Sequence, residues 1–229
     1  MQSIAVRSGR SQGWQARLPV LLGTSGPSLF DALFPRATML YRLLTALALA
    51  GITAGLAQAR FFLPDNPVPI TFQTYGILMM GGLLGFRWGL ASAVAYYLAG
   101  MAGLPVFQSG GNGWAYVSQG VTGGYLLGFI LAAAAAGLFS QRGWDRGRSL
   151  WPMLVGSLLV YLPALIWLTV FDFGWPGEGK LFSAAMYPFI PGDTVKFMLA
   201  ALTAGALWRV ADSRAQGGVS SPEDANTTR

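Results

Sequence analysis

Two oppositely charged side chains, Asp193 and Lys196, lie three residues apart in an otherwise apolar stretch, FIPGDTVKFML, at residues 189–199. In a helix this spacing puts both groups on one face. A carboxylate accepts hydrogen bonds and an ammonium group donates them, so the pair could hold the polar ends of a small molecule. Structural roles are the alternative: Asp193 follows Pro191 and Gly192 and could cap the helix, and Lys196 could extend to the membrane interface.

The residue types that are missing limit the chemistry further. The sequence contains neither histidine nor cysteine, which excludes Ser-His and Cys-His nucleophilic mechanisms, imidazole metal sites and disulfides. The two lysines, Lys180 and Lys196, lack the glycines of a G-x-x-x-x-G-K-[ST] phosphate-binding loop. We therefore expect no enzyme, no catalytic residues, no metal and no cofactor, and an energy source for any transport outside this chain.

The composition is that of a membrane protein. Of the 229 residues, 53% are hydrophobic and 10% are charged, whereas charged residues make up about a quarter of a soluble domain. The chain has room for one domain with several spans of about 20 residues each. The net charge of +6 comes from basic residues that are scattered singly rather than clustered, which argues against nucleic-acid binding.

Uncharged stretches separated by polar breaks predict an all-α membrane protein with six transmembrane helices, at about residues 40–60, 70–86, 88–103, 121–139, 150–171 and 189–209. We expect a kink at Pro163. The six-helix domain would cover residues 39–210, between a cytoplasmic N-terminal extension (1–38) and a disordered cytoplasmic tail (211–229). Arginine and lysine gather on one side if both termini are cytoplasmic, which predicts an N-in, C-in topology.

In this topology the polar loops face outwards, at residues 61–69, 104–120 and 172–188. Amide, hydroxyl and aromatic side chains converge there, as in pockets that bury the apolar body of a ligand and satisfy its polar edge. A solvated loop without a ligand is the alternative. The predicted substrate-binding residues are Asp193, Lys196, Gln73, Asn112, Tyr116 and Tyr125.

Small residues recur along the first predicted helix. Ala46, Ala50 and Ala54 are four residues apart, and Gly51 and Gly55 form a second pair. Small residues at this spacing let helix backbones approach closely within a membrane. The pattern alone leaves two readings open, packing within the chain and docking to a separate membrane subunit.

Three stretches resemble the BioY family of biotin transporters, the substrate-binding S-components of energy-coupling-factor importers. They are PVPITFQTYGILMMGGLLGFRWGLASAVAYYLAGMAGLPVF, GGYLLGF and PFIPGDTVKFMLAALTAGAL, and the resemblance covers residues 40–209 in order. It implies an S-component fold in the inner (plasma) membrane of a bacterium. It also implies that Ala46, Ala50 and Ala54 face a transmembrane coupling subunit and that two separate ATPase subunits supply energy.

The resemblance predicts a biotin-binding subunit that mediates uptake of the vitamin, with Asp193 and Lys196 on the polar ends of biotin. In one departure, GVTGGY carries Val121 where the family commonly has proline, so the geometry of this turn can differ. Two other functions remain open. The chain could carry another small vitamin on the same fold, or it could be a structural subunit of a membrane complex that binds no small molecule.

Overall fold

The computed structural model of the protein describes residues 26–145 and 150–217. Within these ranges the chain forms nine α-helices: α1 (Leu29–Leu33), α2 (Met39–Gln58), α3 (Gln73–Met101), α4 (Gly113–Ser118), α5 (Gly123–Gln141), α6 (Trp151–Leu159), α7 (Tyr161–Val170), α8 (Leu181–Ala185) and α9 (Ile190–Gly217). Two short strands, β1 (Arg60–Phe61) and β2 (Ile70–Thr71), pair in antiparallel fashion between α2 and α3. Single 3-10 turns span Gln108–Gly110 and Tyr187–Phe189.

Five helical stretches among the described residues have the length and hydropathy to cross a membrane. They are Met39–Gln58, Gln73–Met101, Gly123–Gln141, Trp151–Val170 and Leu181–Ala215. The predicted all-α membrane fold is thereby confirmed. The count of six spans and the N-in, C-in topology stay predictions.

The second and third predicted helices both fall within α3, which changes direction at Gly85. This residue has φ 75° and ψ −175°, a conformation that glycine adopts without steric cost. The two halves of α3 lie against each other, since a Cβ atom on Gly89 would be 2.7 Å from the Cα atom of Gly81. The reversal therefore lies inside the second predicted helix, one residue before its predicted end at residue 86.

Backbone-to-backbone packing between α3 and α5 forms the centre of the bundle. A Cβ atom on Gly81 would lie 2.2 Å from the carbonyl oxygen of Ala133, and one on Gly137 would lie 2.5 Å from the carbonyl carbon of Gly85. Such distances exclude any side chain at these positions. Small residues therefore let the two helices approach closely, as is common in membranes.

The fifth predicted helix is broken into α6 and α7 at Val160, three residues before Pro163. Proline lacks a backbone N–H, and its ring crowds the carbonyl group four residues earlier, here that of Leu159. The predicted kink is thus confirmed, with its break just before Tyr161. As the first residue of α7, Tyr161 is buried inside the bundle.

The N-terminal part of the described chain packs into the domain. Ser28 caps α1 and forms a reciprocal capping box with Asp31. Leu29 is fully buried, and the backbone N–H of Gly26 donates to the carbonyl oxygen of Gln141 at 2.9 Å. Residues 28–33 therefore belong to the packed domain rather than to an extension that ends at residue 38. Residues 1–25 of the predicted extension lie outside the described residues.

The last helix differs from its prediction at both ends. It begins at Ile190, so Asp193 lies within the first helical turn instead of preceding the helix as its N-cap. The capping alternative for Asp193 is therefore wrong, although a carboxylate near a helix N-terminus still gains from the helix dipole. At the other end α9 continues to Gly217, so the predicted disordered tail is helical over residues 211–217. Residues 218–229 lie outside the described residues.

Candidate ligand-binding site

A cavity lies where five parts of the fold meet: the start of α3, the segment formed by α4 and the loop before it, the start of α5, the junction of α6 and α7, and the start of α9. Its lining includes five of the six predicted substrate-binding residues, namely Gln73, Tyr116, Tyr125, Asp193 and Lys196. The cavity volume is about 60 Å³, which is room for only a few water molecules. This volume is below the roughly 300–1,000 Å³ of typical small-molecule pockets.

Asp193 and Lys196 form a buried ion pair on one wall. The Lys196 Nζ atom lies 2.6 Å from Oδ1 of Asp193, and the exposed fractions of the two side chains are 4% and 13%. The hydroxyl group of Tyr161 donates to the other carboxylate oxygen, Oδ2. Burying a charge is costly unless it is paired and hydrogen-bonded. The pair therefore places a strong donor and a strong acceptor next to each other inside an apolar bundle.

Gln73 lies at the centre of a hydrogen-bond chain at the start of α3. Its Oε1 atom accepts from the Thr71 hydroxyl at 2.9 Å, and its Nε2 atom donates to the Tyr96 hydroxyl at 2.7 Å. Tyr96 in turn donates to the carbonyl oxygen of Val106 at 2.7 Å. The Gln73 amide keeps one N–H and one lone pair for other partners. This chain fixes the amide and ties the loop before α4 to α3.

Aromatic rings form a second wall. Phe107 is fully buried, stacks on Tyr116 with ring centroids 5.6 Å apart, and meets the edge of Tyr96 at the same distance. The Tyr116 hydroxyl accepts from Nε2 of Gln108 at 2.8 Å. Burial raises the pKa of Tyr116, so its hydroxyl group is neutral near pH 7. This wall offers flat apolar surface with one polar atom at its edge.

Tyr125 contributes its ring to the cavity, because its hydroxyl is already engaged. That hydroxyl donates to the carbonyl oxygen of Ala185 at 2.6 Å. The ring packs against Phe189 at 6.2 Å and against Tyr161 at 6.3 Å between centroids. Tyr125 is therefore suited to cover an apolar part of a ligand and to hold the neighbouring rings in place.

The sequence and the fold that form this cavity are similar to those of known proteins. A sequence model of the BioY family matches residues 32–213, well over half of the chain. The chain belongs to the BioY family. This finding confirms the resemblance drawn from the sequence motifs.

Several curated BioY relatives are similar to this chain over most of their own length. "Biotin transporter BioY" of Thermotoga maritima is 34% identical over 157 residues, which is 68% of this chain and 90% of the relative. "Biotin transporter BioY" of Rhizobium etli is 35% identical over 176 residues, covering 70% and 91%. "Probable biotin transporter BioY" of Pyrococcus horikoshii is 36% identical over 142 residues, covering 62% and 82%.

The fold also matches a solved structure, described as the S-component for biotin from an ECF-type ABC transporter. The TM-score is 0.65 at 27% sequence identity, and the match covers 74% of this chain and 92% of that chain. The helical bundle of this BioY chain is therefore an S-component fold.

The sixth predicted substrate-binding residue of this BioY chain, Asn112, lies outside the cavity lining. Its side chain is exposed, and its Nδ2 atom donates to the carbonyl oxygen of Gly110 at 2.8 Å. The structure instead brings in Tyr161, which the sequence reasoning missed. The available signal was its place two residues before Pro163, beside the predicted kink.

The alanine positions of α2 face inwards to different degrees. Ala46 is 5% exposed, and Ala50 and Ala54 are half-buried against the core. Gly51 and Gly55 are exposed, and a Cβ atom on either would have no neighbour within 4 Å. Within this BioY chain the alanine positions therefore take part in internal packing, while the glycine pair is open on the outer face of the helix.

Proposed function

We propose that this chain is the biotin-binding subunit of an energy-coupling-factor transporter and mediates uptake of biotin. The observation that carries the proposal is the buried Asp193–Lys196 pair at the wall of an aromatic cavity. Membership of the BioY family supports the choice of ligand, since the relatives are named as biotin transporters. The solved S-component for biotin supports it independently of the sequence motifs.

The chemistry of the cavity fits the functional groups of biotin. The vitamin has a ureido ring with N–H donors and a carbonyl acceptor, a thioether ring and a carboxylate on an apolar chain. The Asp193 carboxylate can accept a ureido N–H, and the Lys196 ammonium group can donate to a carbonyl or carboxylate oxygen. Gln73 can add one donor and one acceptor. The aromatic side chains of Tyr116 and Tyr125 can cover the rings and the apolar chain.

In the proposed mechanism, the energy for transport comes from other subunits and not from this chain. A transmembrane coupling subunit and two ATPase subunits would provide it, and the chain itself would be a transport protein without enzymatic activity. Their docking surface would include α2, where Gly51 and Gly55 leave space for a close helix approach. The proposed location is the inner (plasma) membrane of a bacterium, as a multi-pass protein.

Thermal unfolding of the detergent-solubilised chain tests the ligand. Biotin should raise the unfolding temperature of the wild type, because a ligand that binds the native state stabilises it, while a panel of other small vitamins should not. Stabilisation by another vitamin and not by biotin would reassign the chain to that ligand. The absence of any response to the whole panel would favour the structural subunit.

Two charge variants test the site. Asp193→Asn and Lys196→Met should each abolish high-affinity binding of biotin while the protein remains folded and monodisperse. Asp172→Asn and Lys180→Met are matched controls, because these two side chains are exposed in the loop between α7 and α8. Affinity close to wild type in both cavity variants would reject Asp193 and Lys196 as the binding pair.

A further inference from the structure

Tyr161 is a part of the cavity to which neither the sequence motifs nor the names of the relatives assign a role. Its side chain is 4% exposed, lines the cavity and donates its hydroxyl proton to Oδ2 of Asp193. We propose that Tyr161 is a positioning residue, whose hydroxyl group holds the Asp193 carboxylate in the orientation that binds ligand. The inference rests on the function proposed above and extends it to a residue on another helix.

The bond to Lys196 does not give this orientation by itself. Asp193 and Lys196 both belong to the first two turns of α9, so their 2.6 Å contact joins two parts of one helix. Tyr161 lies on α7. Its hydrogen bond therefore ties the carboxylate to a different wall of the cavity and restricts rotation about the side-chain torsions of Asp193.

The two donors leave acceptor capacity for a ligand. Each oxygen of an ionised carboxylate has two lone pairs, and Lys196 and Tyr161 engage one on Oδ1 and one on Oδ2. One lone pair on each oxygen of Asp193 remains. A ligand N–H group can therefore bind without displacing either donor. Because a phenol donates without adding charge, the ion pair also stays neutral overall.

The Tyr161 ring is itself held in place. Tyr125 packs against it edge-on at an interplanar angle of 79°, and the Tyr125 hydroxyl is fixed to the carbonyl oxygen of Ala185 in α8. Tyr161 begins α7, where it is buried. An acceptor that is oriented before the ligand arrives lowers the ordering cost of binding. Tyr161 thus supplies preorganisation to the site without being required to touch the ligand.

The variant Tyr161→Phe removes only the hydroxyl group. Biotin affinity should fall by about tenfold or more, the usual effect of losing a hydrogen bond to a charged group. Tyr75→Phe is the matched control. The Tyr75 hydroxyl also joins two helices, through a 3.2 Å hydrogen bond to Thr203 Oγ1, but Tyr75 is outside the cavity lining. Its loss should leave biotin affinity unchanged.

Infrared spectroscopy of the ligand-free protein separates positioning from a general structural effect. The carboxylate stretching band of Asp193 is assigned by its loss in Asp193→Asn. This band should shift in Tyr161→Phe and stay in place in Tyr75→Phe. Wild-type affinity in Tyr161→Phe would overturn the inference, and so would a loss of affinity with an unshifted band. If the phenylalanine variant does not purify, wild-type protein labelled with 3-fluorotyrosine, a stronger donor, must show a shifted band.

The outcomes distinguish this inference from the proposed function. A wild-type protein that does not respond to biotin rejects the proposed function, and the binding role of Tyr161 falls with it. A wild-type protein that binds biotin, together with a Tyr161→Phe variant of equal affinity, rejects the positioning role alone.

Discussion

The side-chain amide nitrogen of Gln58 donates a 2.9 Å hydrogen bond to the backbone carbonyl oxygen of Phe107. Gln58 is the last residue of α2, and Phe107 lies in the loop before α4, stacked on the cavity residue Tyr116. This contact joins one wall of the proposed biotin site to the helix on which we place the docking surface. That wall is therefore in direct contact with α2.

Replacing Gln58 with methionine tests this link. The variant keeps the length of the side chain but removes the donor, so the loop that carries Phe107 loses an anchor on α2. We expect biotin affinity to fall by about threefold to tenfold, in keeping with the loss of one neutral hydrogen bond. Calorimetric titration of the detergent-solubilised protein measures the effect. Unchanged affinity would show that the loop holds the aromatic wall without help from Gln58.

The buried ion pair makes a second prediction about stability. Lys196→Met leaves the Asp193 carboxylate buried without its cation, which typically destabilises a protein by about 3–5 kcal/mol. The double variant Asp193→Asn, Lys196→Met removes both charges and should recover most of the loss in unfolding temperature. It should still fail to bind biotin. A double variant less stable than Lys196→Met would show that Asp193 supports the fold through other contacts.

The sequence predicted well those features of the site and the fold that depend on local physical constraints. The cost of a charge in an apolar helix singled out Asp193 and Lys196, and the three-residue spacing placed them on one face. The structure confirms their contact at 2.6 Å. The kink at Pro163 follows from the missing N–H of proline, whereas the reversal at Gly85, which has a positive φ angle, lies inside the second predicted helix and was not predicted at that residue.

Long-range packing explains what the sequence did not reveal. Tyr161 meets Asp193 across 32 positions of the chain, and no periodic pattern records such a pairing. Asn112 lies outside the cavity lining, where its amide donates to the carbonyl oxygen of Gly110 two residues earlier in the same loop. The residues of α1 form an apolar run that is too short to indicate a membrane span. Leu29 is nevertheless fully buried in the packed domain.

The raised pKa of Tyr116 leads us to expect that folding stability depends on pH. Burial raises its pKa above the ordinary value of 10.0. As the pH passes 10.0, the unfolded chain loses the phenol proton while the folded chain keeps it, so folding stability is fully present below this pH and decreases above it. The unfolding temperature of the wild type should therefore fall more between about pH 9 and pH 11 than that of Tyr116→Phe. Parallel curves for the two proteins would contradict the burial of this hydroxyl.

The glycine contacts between α3 and α5 predict a contrast between two alanine substitutions. In Gly81→Ala the new methyl group would lie 2.2 Å from the carbonyl oxygen of Ala133. The helices must separate, and we expect a large loss of unfolding temperature or of folded protein. In Gly51→Ala the methyl group meets nothing within 4 Å, and alanine favours helix by about 1 kcal/mol over glycine. That variant should be as stable as the wild type or more so. Equal destabilisation of both would contradict the packing.

The open face of α2 leads to a prediction about assembly. Gly51→Leu places a large side chain where the coupling subunit would approach and should reduce its co-purification, while biotin affinity of the isolated chain stays at the wild-type value. Ala50→Leu should also reduce co-purification, but with a lower unfolding temperature, because Ala50 is packed against the core. Ala206→Leu, at an exposed position of α9, is the control and should leave both properties unchanged. Full recovery of the partner subunits with Gly51→Leu would move the docking surface away from this face of α2.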